Sequence, residues 1–281
     1  MPLFTSVEPR HAQQVKVANL LESAADPTDP GARWQEGFSW RSESCPEFQP
    51  VGSCEDVTTL PGSDTDGVEF YVPTGYRVTD ECSTRNVGFD LDRVSRMAEA
   101  VLSQAMAAEL WTGAATKANT YDTPDLGGGA LTGQTNNYLA GPTATVISAT
   151  VADPMQALGV LEQEARAQLG GQQCFLHVPT QIATQLGAQI RRVGNLLYTQ
   201  TDAVIIADPG YPGTGPDGSG GTAPGTWCYA TGIVTKRVDP LETFVQPAQT
   251  VDRRTNRRQV WAQRLFAASF DSCCHFAMQI S

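Results

Sequence analysis

Residues 90–113, "DLDRVSRMAEAVLSQAMAAELWTG", hold the longest helical pattern in the chain. Leu91, Val94, Ala98, Val101 and Ala105 recur at helical spacing, which places them on one stripe. Asp90 stands where an N-cap is expected and Gly113 where a helix ends. At a rise of about 1.5 Å per residue such a helix runs roughly 33 Å. It needs a sheet or another body to cover its apolar stripe.

Around it the pattern alternates. Downstream, "DPMQALGVLEQEARAQLG" (153–170) carries Asp153 as cap, Pro154 in the first turn and Gly170 past the end. The strand "CFLHV" follows, then a helical pattern from Thr180, "TQIATQLGAQIRR". "DAVIIAD" and "WCYATGIVTKRV" read as strands on either side of a Gly-Pro-rich loop, and "QVWAQRLFAASFD" and "CCHFAMQIS" alternate in strand fashion. Upstream, "RHAQQVKVANLLESAADP" (10–27) is weakly amphipathic, and "VEFYV" (68–72) reads as a strand. The fold class is α+β. One α/β body is expected over 151–240, and a strand-plus-long-helix body is expected from the rest.

Two tracts are chemically lopsided. Residues 42–76 hold Glu43, Glu47, Glu55, Asp56, Asp64, Asp66 and Glu69 with neither Lys nor Arg. Residues 253–264, "RRTNRRQVWAQR", hold Arg253, Arg254, Arg257, Arg258 and Arg264 with no acid. Most of the first tract lacks apolar periodicity, as an excursion from the body of a subunit would.

The 281 residues carry 19 basic and 30 acidic side chains, a net charge of −11. That balance disfavours ordinary nucleic-acid binding, which draws on released counterions. No run reaches the ~20 apolar residues of a membrane span, and residues 1–16 show no secretory pattern. The seven cysteines form no CxxC pair, so neither a zinc knuckle nor a closed disulfide framework is indicated.

Chemistry finds no foothold. The loop "DPGYPGTGPDGSGGTAPGTWCYATG" (208–232) lacks the Lys of a phosphate-binding P-loop. A strand follows it where a dinucleotide fold would place a helix. It is expected to be a surface loop. His11, His177 and His275 have no partner at metal-ligand spacing, and His177 reads as a satisfied core histidine. "SDTDGVEF" (63–70) starts like a calcium loop but lacks the closing Glu. No catalytic, cofactor-binding or metal-binding residue is assigned, and the chain is not read as an enzyme.

Set in order, "WQEGFSW", "VEFYVPTGYRVTDECS", the long helix closing on "ELWTG", "ADPMQALGVLEQEARAQLG", "CFLHVP", "ADPGYPGTGPDG", "TWCYATG" and "DSCCHFAMQI" span nearly the whole chain. Together they resemble the major capsid proteins of tailed bacteriophages with the Hong Kong 97-type fold, especially those of actinobacteriophages. The resemblance implies an N-terminal arm at 1–33 and an extended-loop (E-loop) region at 34–75. It further implies a P-domain with a spine helix at 76–150 and 241–281, and an A-domain at 151–240. The implied function is self-assembly into pentamers and hexamers that form an icosahedral shell around double-stranded DNA. The partners would be other copies, with portal, scaffold and decoration proteins. DNA would be enclosed without sequence-specific contacts, no membrane would be involved, and the shell would be assembled in the host cytoplasm to become the virion. An encapsulin-like nanocompartment subunit shares the fold and is the alternative, and an enzyme with a Gly-rich lid is a reading from another class.

One member of that family joins subunits by an isopeptide bond from a Lys on the extended loop. The only lysines here are Lys16, Lys117 and Lys236, so the expectation is no such bond. In its place, Glu43, Glu47, Glu55, Asp56, Asp64 and Asp66 of one copy are expected to lie over Arg253, Arg254, Arg257 and Arg258 of its neighbour. Solvent or enclosed DNA facing these tracts is the competing reading.

Overall fold

The computed structural model describes residues 17–27, 34–36, 38–41, 68–71, 73–83, 87–118, 137–148, 151–218, 221–222, 225–247 and 257–280. In chain order the helices are α1 (Leu20–Ser23), α2 (Val87–Thr112), α3 (Ala114–Ala118), α4 (Pro154–Gln168) and α5 (Thr180–Gln185). The strands begin with β1 (Phe38–Arg41), β2 (Val68–Tyr71), β3 (Thr74–Ser83), β4 (Thr145–Val146) and β5 (Phe175–His177). They continue with β6 (Arg191–Val193), β7 (Leu196–Tyr198), β8 (Val204–Ile206), β9 (Asp217–Gly218) and β10 (Gly221–Thr222). The last five are β11 (Thr226–Thr231), β12 (Val234–Val238), β13 (Glu242–Val245), β14 (Arg257–Phe270) and β15 (His275–Ile280). This is the mixed helix and sheet content expected.

The chain divides into two compact units. The smaller takes Gly75–Leu102 and Asp239–Leu265, and the larger takes Lys16–Thr74, Ser103–Val238 and Phe266–Ser281. Helix α2 and strand β14 contribute residues to both. Within β14 the division falls after Leu265.

In the smaller unit, β13 pairs antiparallel with the first part of β14, Phe244 opposite Trp261 and Val245 opposite Val260. Strand alternation sends Val260 and Ala262 to one face, where they meet Val94 and Ala98 of α2 in a small apolar core. The Tyr76 hydroxyl donates to the Ala98 carbonyl at 2.8 Å. Arg264 closes this side by donating to both oxygens of Glu99, at 3.0 and 2.7 Å.

The larger unit is built on a seven-stranded sheet in the order β4-β15-β11-β5-β8-β7-β6. β15 pairs antiparallel with β11, β11 antiparallel with β5, and β5 parallel with β8. The C-terminal strand thus lies inside the sheet, one place from its β4 edge. Period-2 alternation gives the sheet two apolar faces. Leu176, Cys228, Ala230, Phe276 and Met278 join a core with Ala157, Leu158, Leu161, Ala165 and Leu169 of α4. Asp153 accepts from the Met155 N–H at 3.1 Å and Pro154 opens α4, as the sequence predicts. Phe175, His177, Tyr229, Thr231 and His275 alternate with that set and are also buried.

Two elements start or stop elsewhere than expected. α2 begins at Val87, so Asp90 lies within the helix and is not its cap. Its buried stripe is Val94, Ala98, Leu102 and Met106, with Val101 and Ala105 only half-buried. The helical pattern from Thr180 ends at Gln185, because Gly187 takes a left-handed φ of 56°, and residues 191–193 are strand.

Candidate functional site: the Gly-Pro loop and the exposed edge

The first half of the Gly-Pro loop is not a surface loop. Asp208, Tyr211, Gly213 and Gly215 are buried. Asp208 is fully buried, and its carboxylate accepts from three donors that come from three parts of the chain. These are the Leu20 N–H at 3.0 Å, the Ser103 hydroxyl at 2.6 Å and the Gly210 N–H at 2.9 Å. Carboxylate acceptors make the stronger class of hydrogen bond, and full pairing offsets the cost of burying the charge. At Gly210 the backbone presses so close to α2 that an added Cβ would lie 2.3 Å from the Gln104 carbonyl oxygen.

Next to it, aromatic rings interlock. Trp111 lies 4.8 Å from Tyr211 and meets Tyr229 edge-on at 4.9 Å. Its indole N–H reaches the Thr214 carbonyl and hydroxyl, both at 3.1 Å. The Tyr229 hydroxyl donates to the same carbonyl at 3.0 Å. A single loop residue therefore satisfies two large side chains, one from α2 and one from β11.

The histidines are core residues. Thr231 donates its hydroxyl to the Gly232 carbonyl at 3.0 Å, so it accepts from His177 Nε2 at 3.0 Å. That fixes the tautomer, leaving His177 Nδ1 to accept from the Tyr211 hydroxyl at 2.8 Å. His275 Nε2 donates to the Leu139 carbonyl at 2.9 Å. Burial lowers the pKa of His177 to about 3 and that of His275 to about 4, and it raises that of Tyr211 well above the phenol range. Neither histidine is poised to exchange protons near neutrality, so this cluster is cement rather than a catalytic group.

The segment before the aromatic knot is also clamped. Among its described residues, 17–27, only Leu20–Ser23 is helical, because the residues on either side turn to other partners. Ala18 adopts φ 54°, donating to the Asn195 carbonyl and accepting from the Ala207 N–H, each at 2.7 Å. Ala25 bridges β12, and the Lys236 ammonium donates to the Leu21 carbonyl, 3.8 Å from Asp26.

The described free thiols are buried and unreactive. Cys174, Cys228 and Cys274 are free and buried, and burial pushes Cys174 up to about 11 and Cys274 to about 12. Cys273 is disulfide-bonded, a feature the Cys spacing did not indicate. Among the described residues no group of His, Cys, Asp and Glu is placed to hold a metal ion. No helix is long and apolar enough to cross a membrane, again among the described residues.

Of the residues expected at a subunit contact, Glu43, Glu47, Glu55, Asp56, Asp64, Asp66, Arg253 and Arg254 lie outside the described residues, as does most of the calcium-like stretch. Arg257 and Arg258 open β14. The fifth arginine of that tract, Arg264, is held by Glu99 of its own chain. What the sequence reading did not single out is the far edge of the large sheet. There β6 and β7 form a hairpin in which Val193 is 53% exposed.

No family model matches the chain, and no curated protein matches it. Solved structures do. A chain of Mycobacterium phage Ogopogo superposes with a TM-score of 0.53 at 13% identity, covering 99% of this chain and 97% of that one. A capsid chain of a native GTA particle gives 0.54 at 11%, covering 100% and 95%. The capsid of Myoviridae phage XM1 gives 0.51 at 11%, covering 100% and 97%. The chain has a phage-capsid fold. Identity this low leaves the fold to be carried by burial pattern and not by shared side chains.

Proposed function

We propose that the chain is the major capsid protein of a tailed phage, assembling as pentamers and hexamers into an icosahedral shell around double-stranded DNA. The observation that carries this is end-to-end coverage: phage and GTA capsid chains match 99–100% of the residues and are themselves matched over 95–97%. Negative-stain microscopy of the purified protein, alone and with its phage's scaffold protein, tests the reading. Closed shells of uniform size are expected, and a protein that remains monomeric under all conditions would reject it.

Within that reading, residues 1–33 act as the N-terminal arm and 34–75 as the extended loop of a Hong Kong 97-type subunit. Residues 76–150 and 241–281 form the P-domain, with α2 as its spine helix, and 151–240 form the A-domain. The acidic loop residues Glu43, Glu47, Glu55, Asp56, Asp64 and Asp66 lie over Arg253, Arg254, Arg257 and Arg258 of the adjoining copy. Each exposed pair contributes about 0–1 kcal/mol, but a shell repeats the contact at every subunit. Assembly of Arg257→Glu/Arg258→Glu checks this, with loss of shells at neutral pH expected and full assembly counting against it. The protein acts as a container without enzymatic activity. An acidic wall that does not grip phosphates leaves DNA free to slide.

A further inference from the structure

The seven-stranded sheet ends at β6, and no described strand pairs with its outer side. Open edges of this kind are templates for pairing with another chain unless they are blunted. This one is short, and no described strand or helix covers it. Among residues 187–195 every position except Ile190 is exposed, and Val193 is the most exposed large apolar side chain described. The two-residue turn, Gly194 at φ 61° followed by Asn195, makes Val193 and Leu196 a hydrogen-bonded pair. It follows that Arg192 turns its own N–H and C=O away from β7.

Charge points to the occupant. No acid occurs between Glu164 and Asp202, while Arg166, Arg191 and Arg192 fall in that interval. Arg191 pairs with Asp202 and stacks over Tyr198. Arg192 donates to the Gly194 carbonyl at 3.0 Å and holds no carboxylate among the described residues. A chain of net charge −11 offers any second copy a surface that repels it. The β6 edge is a basic, apolar exception, and a second copy is the complementary acidic partner. An edge strand that pairs with a different strand of the next copy makes a head-to-tail contact, which closes into a ring where the rotation between copies allows it.

We propose that β6 is a self-association edge: Arg192 exchanges backbone hydrogen bonds with a strand of a second copy, Val193 is covered by it, and the Arg192 guanidinium meets one of its carboxylates. This rests on the shell-forming reading and names the strand edge through which one copy engages the next.

Hydrogen exchange on the unassembled subunit and on the assembled shell tests it directly. The peptide covering 187–195 is expected to slow at least tenfold on assembly, and unchanged exchange in well-formed shells overturns the proposal while leaving the shell function intact. A second arm uses Arg192→Pro, which removes the outward N–H without touching a bond to β7, and Val193→Lys. With the melting temperature of the subunit kept within a few degrees, both are expected to cut the yield of shells by sedimentation at least tenfold. Normal yields from either folded variant refute the edge. Failure of the unaltered protein to form shells at all rejects the function, and this edge with it.

Discussion

At the residue scale, Asp208 and the two buried histidines are held in place in different ways. Asp208→Ala strands the Leu20 N–H, the Ser103 hydroxyl and the Gly210 N–H in a dry site. Each unpaired buried donor costs about 1–3 kcal/mol, so the variant is expected to lose roughly 3–5 kcal/mol by chemical denaturation, while Ser103→Ala loses about 1–2. Equal losses would mean that the carboxylate is not the hub. His177 and His275 titrate at about 3 and about 4 in the folded chain against 6.5 in the unfolded one. Their contribution to stability is therefore complete above pH 6.5 and is lost as the pH falls toward those folded values. Two such groups impose a slope of about 3 kcal/mol per pH unit between roughly pH 6 and 4. The urea midpoint should drop steeply over that window, and His275→Gln should flatten the slope by about half.

At the element scale, α2 and the Gly-Pro loop fix each other through contact too close for any side chain. A Cβ on Gly210 meets the Gln104 backbone oxygen at 2.3 Å, and backbone in a helix yields little. Gly210→Ala is expected to destabilise by about 2–3 kcal/mol, with near-ultraviolet circular dichroism of Trp111 altered. Gly159→Ala, on α4 with nothing within 4 Å, should be neutral or slightly stabilising. The pair separates close approach from glycine replacement in general. The same contrast explains what was legible in the sequence. α4 announces itself because Asp153, Pro154 and the 3.6-residue pattern all act locally. β5, β8 and β11 are legible as apolar runs. The loop 208–216 was not, because Gly and Pro signal a turn and say nothing about whether a turn is buried. Its burial depends on Trp111 and Ser103, which lie about a hundred residues away in sequence. Of the amphipathic pattern at 10–27 the described part, 17–27, has one helical turn, because Asp208, β12 and Asn195 compete for its backbone. The acidic and basic tracts are legible as charge alone, since a run of like charge carries no periodicity that names its partner.

At the scale of the whole molecule, the lysines decide whether the proposed shell is covalently linked. An isopeptide bond needs an ammonium that has lost its proton and faces an amide or carboxyl carbon on another copy. Lys236 is only 16% exposed at its side chain and donates to the Leu21 carbonyl beside Asp26. Lys117 lies over the Tyr138 ring at 3.9 Å. Both are committed within their own chain, and the acidic tract at 42–76 carries no lysine to offer in their place. The shell is therefore expected to be held by burial, hydrogen bonds and charge pairs, whose strength comes from repetition. Because exposed pairs are screened by salt over about 8–10 Å, intact shells should loosen as ionic strength rises at neutral pH, whereas a covalent network would not respond. Heated in SDS with reductant, mature particles should run as a single 30.1 kDa band. A ladder of oligomers that survives reductant would show that Lys16, Lys117 or Lys236 leaves its place during maturation and forms the bond after all.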